Sequence, residues 1–128
     1  MADLVLDASV LIGFFDAGDA NHHACVAGLR QAAEDDLLVP ATVYVEILGP
    51  LRGGDDRLVD IFFERRGIEV VPITANLARE AARFRAVHGK GLSVPDVLVI
   101  AAAEERRCRY LTCDRAQAVV SELGQLVE

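Results

Sequence analysis

The sequence contains no run of about 20 apolar residues, the length that a helix needs to cross a bilayer. Its first residues, Met1-Ala2-Asp3, also lack the basic region that opens a secretory signal. We therefore expect a protein that stays in the cytoplasm and has no membrane as a partner. With 128 residues, of which 52% are hydrophobic, the chain predicts a single domain over residues 1–128 with a core of its own.

Cysteines and aromatic residues are few. Cys25, Cys108 and Cys113 are an odd number of cysteines and lack the spacing of a disulfide framework, so we expect reduced thiols packed as small apolar side chains. A zinc site of Cys108 and Cys113 with His22 and His23 is an alternative, although the spacings do not suit a structural site. Aromatic residues make up only 5% of the chain, which argues against base stacking as the main interaction with a nucleic acid.

Positive charge is also in short supply. Thirteen Lys and Arg residues stand against twenty Asp and Glu residues, which gives a net charge of −7. A protein that coats nucleic acid without sequence preference neutralises phosphates with an excess of basic side chains. This charge balance excludes that class of nucleic-acid-binding protein. A nucleic acid could still bind through a local basic patch or through cations held by the acids, and a basic protein partner would suit the charge.

Short apolar runs alternate with helical segments along the chain. Strands are predicted at 3–6, 37–39, 68–73, 109–113 and, at the end, 125–127. Helices are predicted at 10–15, from residue 19 or 21 to 33, from a Thr42 cap to 48, from residue 55 or 56 to 66, from residue 74 or 76 to 88, at 95–107 and in a short piece after 114. Because the strands lack polar alternation, they indicate a parallel sheet covered on both faces. We expect an α/β fold, a three-layer α/β/α sandwich with a short, mainly parallel sheet of four to five strands.

Four acidic residues stand in otherwise apolar surroundings. Asp7 directly follows the first predicted strand, Asp114 follows the fourth, and Asp96 opens the helix DVLVIAAA. Glu46 is the only charged residue in the stretch 38–51. Ligand sites of parallel sheets form beyond the carboxyl ends of the strands, so these acids are candidates for a common site.

Each aspartate also has a structural interpretation. Asp7 and Asp114 could N-cap the helices that follow them, and SVPD at 93–96 resembles a capping box. Glu46 caps nothing, and its structural alternative is a buried ion pair with an arginine. The combination favours another interpretation, because carboxylates that converge repel one another unless a cation lies among them. Mg²⁺ and Mn²⁺ prefer such oxygen ligands, and an ion held there can activate water and stabilise phosphate oxygens.

Four segments, in this order and at these separations, resemble the PIN-domain family and more narrowly its VapC-type ribonuclease toxins. They are LVLDASVLIGFFDAGDANHHA, TVYVEIL, LSVPDVLVIAAA and YLTCD. The resemblance extends over essentially the whole chain. It implies a compact α/β/α domain and a metal-dependent endoribonuclease that leaves 5′-phosphate and 3′-hydroxyl ends. It also implies the toxin role in a type II toxin–antitoxin pair, with RNA as substrate, an antitoxin protein as partner and a homodimer as the assembly.

The resemblance also assigns site residues. The family's acidic site, which is both catalytic and the ligand set for Mg²⁺ or Mn²⁺, falls on Asp7, Glu46, Asp96 and Asp114. Ser9 and Thr112 match the family's hydroxyl residues two positions after the first acid and two before the last, and we expect them to orient carboxylates or to bind a water. After Asp114, the segment RAQAV departs from the family pattern, because it lacks the aromatic residue and the additional acid that many relatives carry.

Basic residues for RNA binding gather in two segments. The preferred phosphate contact is the first set, Arg79, Arg83, Arg85 and Lys90, in which the first two share a helix face at i, i+4 spacing. The second set is Arg106, Arg107, Arg109 and Arg115. For any single arginine, a solvated helix face is the structural alternative.

Two alternatives of other classes remain open. A catalytically inactive PIN-like module could bind RNA or protein with the same fold. A phosphatase that forms an aspartyl-phosphate at Asp7 would need a second acid where Ser9 stands, so the sequence disfavours it.

Overall fold

The computed structural model describes residues 2–48, 56–89 and 91–128, in which five strands alternate with seven helices. The strands are β1 (Asp3–Leu6), β2 (Asp36–Pro40), β3 (Glu69–Val71), β4 (Arg109–Thr112) and β5 (Gly124–Leu126). The helices are α1 (Ala8–Phe15), α2 (His22–Gln31), α3 (Ala41–Leu48), α4 (Asp56–Arg66), α5 (Ala75–His88), α6 (Val94–Arg106) and α7 (Arg115–Ala118). Within these ranges, every helix is too short or too polar to cross a membrane.

The sheet is parallel throughout, with the strand order β3-β2-β1-β4-β5. Crossovers between parallel strands are right-handed. Helices α1 to α4, which connect strands in one direction along the sheet, therefore lie on one face, and α5 to α7 lie on the other. The predicted three-layer α/β/α sandwich is confirmed, with five strands and no antiparallel pair among the described residues.

The centre of the sheet is fully covered by helices. Leu4, Val5 and Leu6 of β1 are at most 1% exposed, as a strand buried on both faces requires. On one face, α6 packs against β1, β2 and β4 and is itself covered by α5. This double cover explains why the side chains at 97–103, two full turns of α6, are all buried.

The functional end of the sheet is set by its topology. The chain leaves β1 in the direction of β2 and leaves the adjacent β4 in the direction of β5, so the connections diverge between β1 and β4. A crevice opens at such a point beyond the carboxyl ends of the strands. The Asp7 amide donates to the Leu111 carbonyl at 2.9 Å, which fixes the end of β1 beside the end of β4.

The predicted boundaries differ from the structure mainly at caps. Helix α1 begins at Ala8, two residues early, because Asp7 accepts a hydrogen bond from the Ser9 amide and caps it. The prediction that Thr42 caps a helix is wrong. Helix α3 begins at Ala41, directly after the strand, and Thr42 Oγ1 is buried without a hydrogen-bond partner in the described part of the chain.

Gly124, the first residue of β5, is packed closely against the ring of Tyr110. This close packing leads to a prediction about stability. A Cβ at this position would lie 2.6 Å from Tyr110 Oη and would overlap the Ala118 carbonyl oxygen. We expect Gly124→Ala to lower the free energy of unfolding by about 1–3 kcal/mol, the usual cost of overpacking. Urea unfolding of the purified protein measures this.

Gly28→Ala is the matched control. Its Cβ would meet Val127 Cγ1 at 3.6 Å, an ordinary contact, and alanine favours the helix α2 in which Gly28 lies. The control should be neutral or stabilising by up to about 1 kcal/mol. Equal stability of Gly124→Ala and the wild type would contradict the close packing of β5 on β4.

Candidate functional site

Asp7 lies at the carboxyl end of β1, where the connections of β1 and β4 diverge, and is only 6% exposed. Its Oδ2 accepts hydrogen bonds from the Ser9 amide at 3.1 Å and from Ser9 Oγ at 2.6 Å, and its Oδ1 accepts one from Gln117 Nε2 at 3.2 Å. Asp7 is thus the N-cap of α1, as its structural interpretation proposed. Capping leaves acceptor positions of the carboxylate available for other contacts, because its two oxygens offer about four such positions.

Ser9 connects the start of α1 to the end of β4. Its hydroxyl donates to Asp7 and accepts from the Cys113 amide at 3.0 Å. The hydroxyl predicted to orient a carboxylate is therefore in direct contact with one.

Thr112 contacts Asp7 less directly. Its hydroxyl has one hydrogen, which lies between Gln117 Oε1 at 2.8 Å and Asp7 Oδ2 at 3.4 Å. The shorter contact is the stronger one, so Thr112 donates to Gln117. The same Thr112 oxygen accepts from the Asp114 amide at 3.0 Å, which holds the turn that leads into α7.

The carboxylates of Asp96 and Asp114 also act as caps. Asp96 Oδ2 accepts from the Ser93 amide at 3.0 Å and the Asp96 amide donates to Ser93 Oγ at 3.2 Å, which completes a capping box. Asp114 Oδ1 accepts from the Ala116 amide at 2.9 Å and caps α7. The Asp96 carbonyl oxygen accepts from Gln117 Nε2 at 3.3 Å, which brings the start of α6 next to α7 in the crevice.

Glu46 on α3 is the acid that no structural role explains. Its Oε1 is buried and has no hydrogen-bond partner among residues 2–48, 56–89 and 91–128. Burial raises the pKa of Glu46, and the nearby carboxylates of Asp7 and Asp96 raise this pKa further. Asp114 is not among the groups that raise it. Three of the four predicted acids therefore share one electrostatic environment. The buried ion pair considered as the structural alternative for Glu46 has no support at Oε1, which lacks a partner among the described residues.

The crevice suits a hard divalent cation by its chemistry. Within residues 2–48, 56–89 and 91–128, no three His, Cys, Asp or Glu side chains converge as a ready-made metal-binding group. The donors of Asp7, Glu46 and Asp96 are nevertheless all oxygen atoms, which Mg²⁺ and Mn²⁺ prefer. Their mutual repulsion and the unpartnered Oε1 of Glu46 would both be relieved by a cation among them, so these residues fit the ion.

The cysteines give no support to the zinc alternative. Cys113 Sγ lies 3.5 Å from Cys25 Sγ, whereas Cys108 precedes β4 and lies at the far end of that strand. All three are free thiols, as predicted, and burial raises the pKa of Cys25 to about 12.

The second set of basic residues is divided by the fold. Arg106 forms ion pairs with Asp3 at 3.6 Å and Glu69 at 3.0 Å, and Arg109 forms one with Asp35 at 3.4 Å. These acids lie at or next to the amino ends of β1, β3 and β2. Arg106 and Arg109 therefore lie at the sheet edge opposite Asp7, where they cannot serve the crevice.

The preferred basic set lies on α5. Arg79, Arg83 and Arg85 are exposed, and Arg83 pairs with Glu80 at 2.6 Å. Arg85 lines a groove between α5 and the start of α6, the helix that carries Asp96. Lys90 lies outside the described residues.

Gln117 is the residue at this site that sequence reasoning missed. Its side chain is 0% exposed and contacts Asp7, Asp96 and Thr112. It belongs to RAQAV, the segment that departs from the family pattern. This departure was the feature of the sequence that could have drawn attention to Gln117.

Comparisons with known proteins support the fold. A family model of the PIN domain matches residues 4–123. A solved toxin–antitoxin complex from Klebsiella pneumoniae is similar at 15% identity and a TM-score of 0.76, over 94% of this chain and 93% of that one. Mycobacterium tuberculosis VapC20, a sarcin–ricin loop cleaving toxin, is similar at 22% identity and a TM-score of 0.67, over 81% and 83% of the two chains.

A third similar structure is FitAcB from Neisseria gonorrhoeae, at 18% identity and a TM-score of 0.67 over 91% of each chain. No curated protein sequence matches this chain significantly. At these low identities, the structural likeness establishes a shared fold, and it does so over nearly the full length.

The raised pKa of Glu46 predicts how stability depends on pH. Between the unfolded pKa of a glutamate, about 4.3, and the raised folded pKa, the unfolded state ionises first, so the folded state loses stability as pH rises through this window. In EDTA at pH 7.5, we expect Glu46→Gln to have a higher Tm than the wild type, and we expect the difference to shrink towards pH 4. Thermal unfolding followed by circular dichroism measures both.

Glu105→Gln is the control, because Glu105 is exposed near the end of α6. It removes the same charge and should leave the Tm nearly unchanged. A Glu46→Gln variant less stable than the wild type in EDTA at pH 7.5 would contradict the unpaired, repelled state of Glu46.

Proposed function

This chain belongs to the PIN domain family, and we propose that it is a metal-dependent endoribonuclease and the toxin of a toxin–antitoxin pair. A fold alone does not specify an activity, so the proposal depends on the crevice. The observation that carries it is Glu46, a half-buried side chain whose Oε1 is buried without a partner among the described residues and which shares its electrostatic environment with Asp7 and Asp96. The shared fold with VapC20, a sarcin–ricin loop cleaving toxin, adds support.

Asp7, Glu46 and Asp96 would hold Mg²⁺ or Mn²⁺, with Asp114 directly or through a water. A cation bound there supplies activation of water and stabilisation of charge on phosphate oxygens. Ser9 keeps Oδ2 of Asp7 in place with two donors, which leaves Oδ1 with an acceptor position beyond its bond to Gln117. Glu46 offers Oε1, the one oxygen of the three carboxylates that is both buried and without a donor among the described residues.

RNA phosphates would be contacted mainly from α5. Arg79, Arg83 and Arg85 are exposed there, and Lys90 follows in the sequence. With a net charge of −7, the chain needs such a local patch, and its binding should weaken steeply with added salt. Arg115, which follows Asp114 and pairs with Glu128, is the member of the second set that lies at the crevice end of the sheet.

The toxin role requires an antitoxin protein as partner. The acidic surface suits a partner with a basic segment, because opposite charges steer association. Val45 on α3 and Leu58 and Ile61 on α4 are exposed apolar side chains that a protein partner or the second subunit of a homodimer could cover. The Klebsiella pneumoniae structure is itself a toxin–antitoxin complex, which supports this partnership.

A catalytically inactive module that binds RNA or protein is the alternative. It is favoured by one observation, which is that Asp7, Asp96 and Asp114 all act as helix caps. Such a module would need the carboxylates only for structure.

Replacement of Asp7 separates the two functions. We expect the purified wild-type protein, free of antitoxin, to cut total RNA into discrete fragments with Mg²⁺ or Mn²⁺ and not with EDTA. Asp7→Asn should lower this rate at least about 100-fold, because it removes a ligand that the crevice holds in a fixed orientation. Gel analysis of the fragments over time measures the rate.

The control is Asp36→Asn, since Asp36 is exposed at the amino end of β2, on the far edge of the sheet. It should cleave as the wild type does. Thermal unfolding must show that Asp7→Asn is folded. If the folded wild-type protein leaves the RNA intact, the result would favour the binding module. If Asp7→Asn is fully active, the Asp7 carboxylate is not needed for cleavage.

A further inference from the structure

Gln117 carries a fully buried amide at the centre of the site. Its Nε2 donates one hydrogen to Asp7 Oδ1 at 3.2 Å and the other to the Asp96 carbonyl oxygen at 3.3 Å. Its Oε1 accepts from Thr112 Oγ1 at 2.8 Å. Both donors are used, and this amide orientation is the one that matches donors with acceptors at all three contacts. A buried amide is tolerated only when it is bonded in this way.

The position of this amide is fixed from the main chain as well. Helix α7 has only four residues, so its own hydrogen bonds hold it weakly. The Tyr110 hydroxyl on β4 donates to the Gln117 carbonyl oxygen at 2.6 Å. Burial raises the pKa of Tyr110 to about 12, so this hydroxyl remains a donor at alkaline pH as well. The Gln117 backbone is therefore anchored to the same strand whose end carries Thr112.

The contacts of Gln117 reach three of the four acids, and each acid is on a different element. Asp7 ends β1 and is contacted through its carboxylate, and Asp96 opens α6 and is contacted through its carbonyl. Asp114 follows β4 and is reached through Thr112, whose oxygen accepts from the Asp114 amide. Among the described residues, Gln117 supplies the hydrogen bond that restrains Oδ1 of Asp7, whereas Ser9 restrains Oδ2.

We propose that Gln117 is a positioning residue of the carboxylate site, which fixes the Asp7 carboxylate and its distance from Asp96 for a divalent cation. This rests on the proposed metal-dependent function. An amide suits the role because it donates two hydrogen bonds without a positive charge that would compete with the cation. Without it, Asp7 keeps only the contacts of Oδ2, and the carboxylate can turn away from its productive orientation. Groups that orient metal ligands usually affect affinity 10- to 100-fold.

The test is Mn²⁺ affinity, measured from the electron paramagnetic resonance signal of free Mn²⁺ on the full chain. Gln117→Met keeps the length of the side chain and removes its hydrogen bonds. We expect a Kd raised about 10- to 100-fold. Gln117→Leu is the second variant, used if the first lacks a cooperative unfolding transition. Asp7→Asn is the reference for a site that has lost a ligand, and its loss should be larger.

Tyr110→Phe is the matched structural control, because it removes the hydrogen bond that anchors the same helix and leaves the amide in place. It should lower the Tm and, because the amide itself remains, raise the Kd for Mn²⁺ less than Gln117→Met does. An unchanged affinity in Gln117→Met, or a loss no larger than that of Tyr110→Phe, would overturn the positioning role while the metal site stands. A wild type that does not bind Mn²⁺ would instead overturn the proposed function, and this proposal with it.

Discussion

The burial of the Asp7 charge is the constraint on which the rest of the site depends. A carboxylate at the end of a buried strand must receive hydrogen bonds, or its desolvation would be costly. Ser9 and Gln117 supply them from α1 and α7, so satisfying Asp7 also fixes both helices against the sheet. Among the described residues, these donors are neutral. They solvate the charge without cancelling it, and this charge is, after burial, one of the causes that raise the pKa of Glu46.

The parallel sheet separates charge between its two edges. At the amino edge, Arg106 pairs with Asp3 and Glu69, and Arg109 pairs with Asp35. Exposed pairs of this kind contribute little to stability, typically about 0–1 kcal/mol. The larger effect of these ion pairs is to fix the position of the arginines. Arginines held at the amino edge do not neutralise the acids at the carboxyl edge. In a chain with a net charge of −7, an acidic crevice without these arginines is what the proposed cation site requires.

The sequence predicted the architecture because its signals were local. The bounds of β1 at 3–6 were predicted correctly, since an apolar run between polar residues has few alternatives. Glu46 was recognised as unusual from its apolar helical neighbours alone. The capping error at Thr42 arose because proline ended the strand prediction early, whereas Pro40 pairs with Val71 and the helix starts at the next residue.

The contacts that assemble the site were beyond a local prediction. Gln117 lies 110 positions from Asp7, and nothing in RAQAV shows that its amide turns inward. The division of the arginines between the two edges of the sheet likewise follows from strand direction, which only the assembled sheet defines. The candidate acids could be named from the sequence, whereas the neutral side chains that orient them could not.

Thermal unfolding in MgCl₂ against EDTA at equal ionic strength tests the central claim, that the crevice holds a divalent cation, most directly. A cation that binds only the folded state adds a stability of RT ln(1 + [L]/Kd), about 2.7 kcal/mol at a hundredfold excess over Kd. The account predicts a Tm that rises steadily with the Mg²⁺ concentration in the wild type and not in Asp7→Asn. A wild-type Tm that is the same in EDTA and in millimolar Mg²⁺ would contradict it.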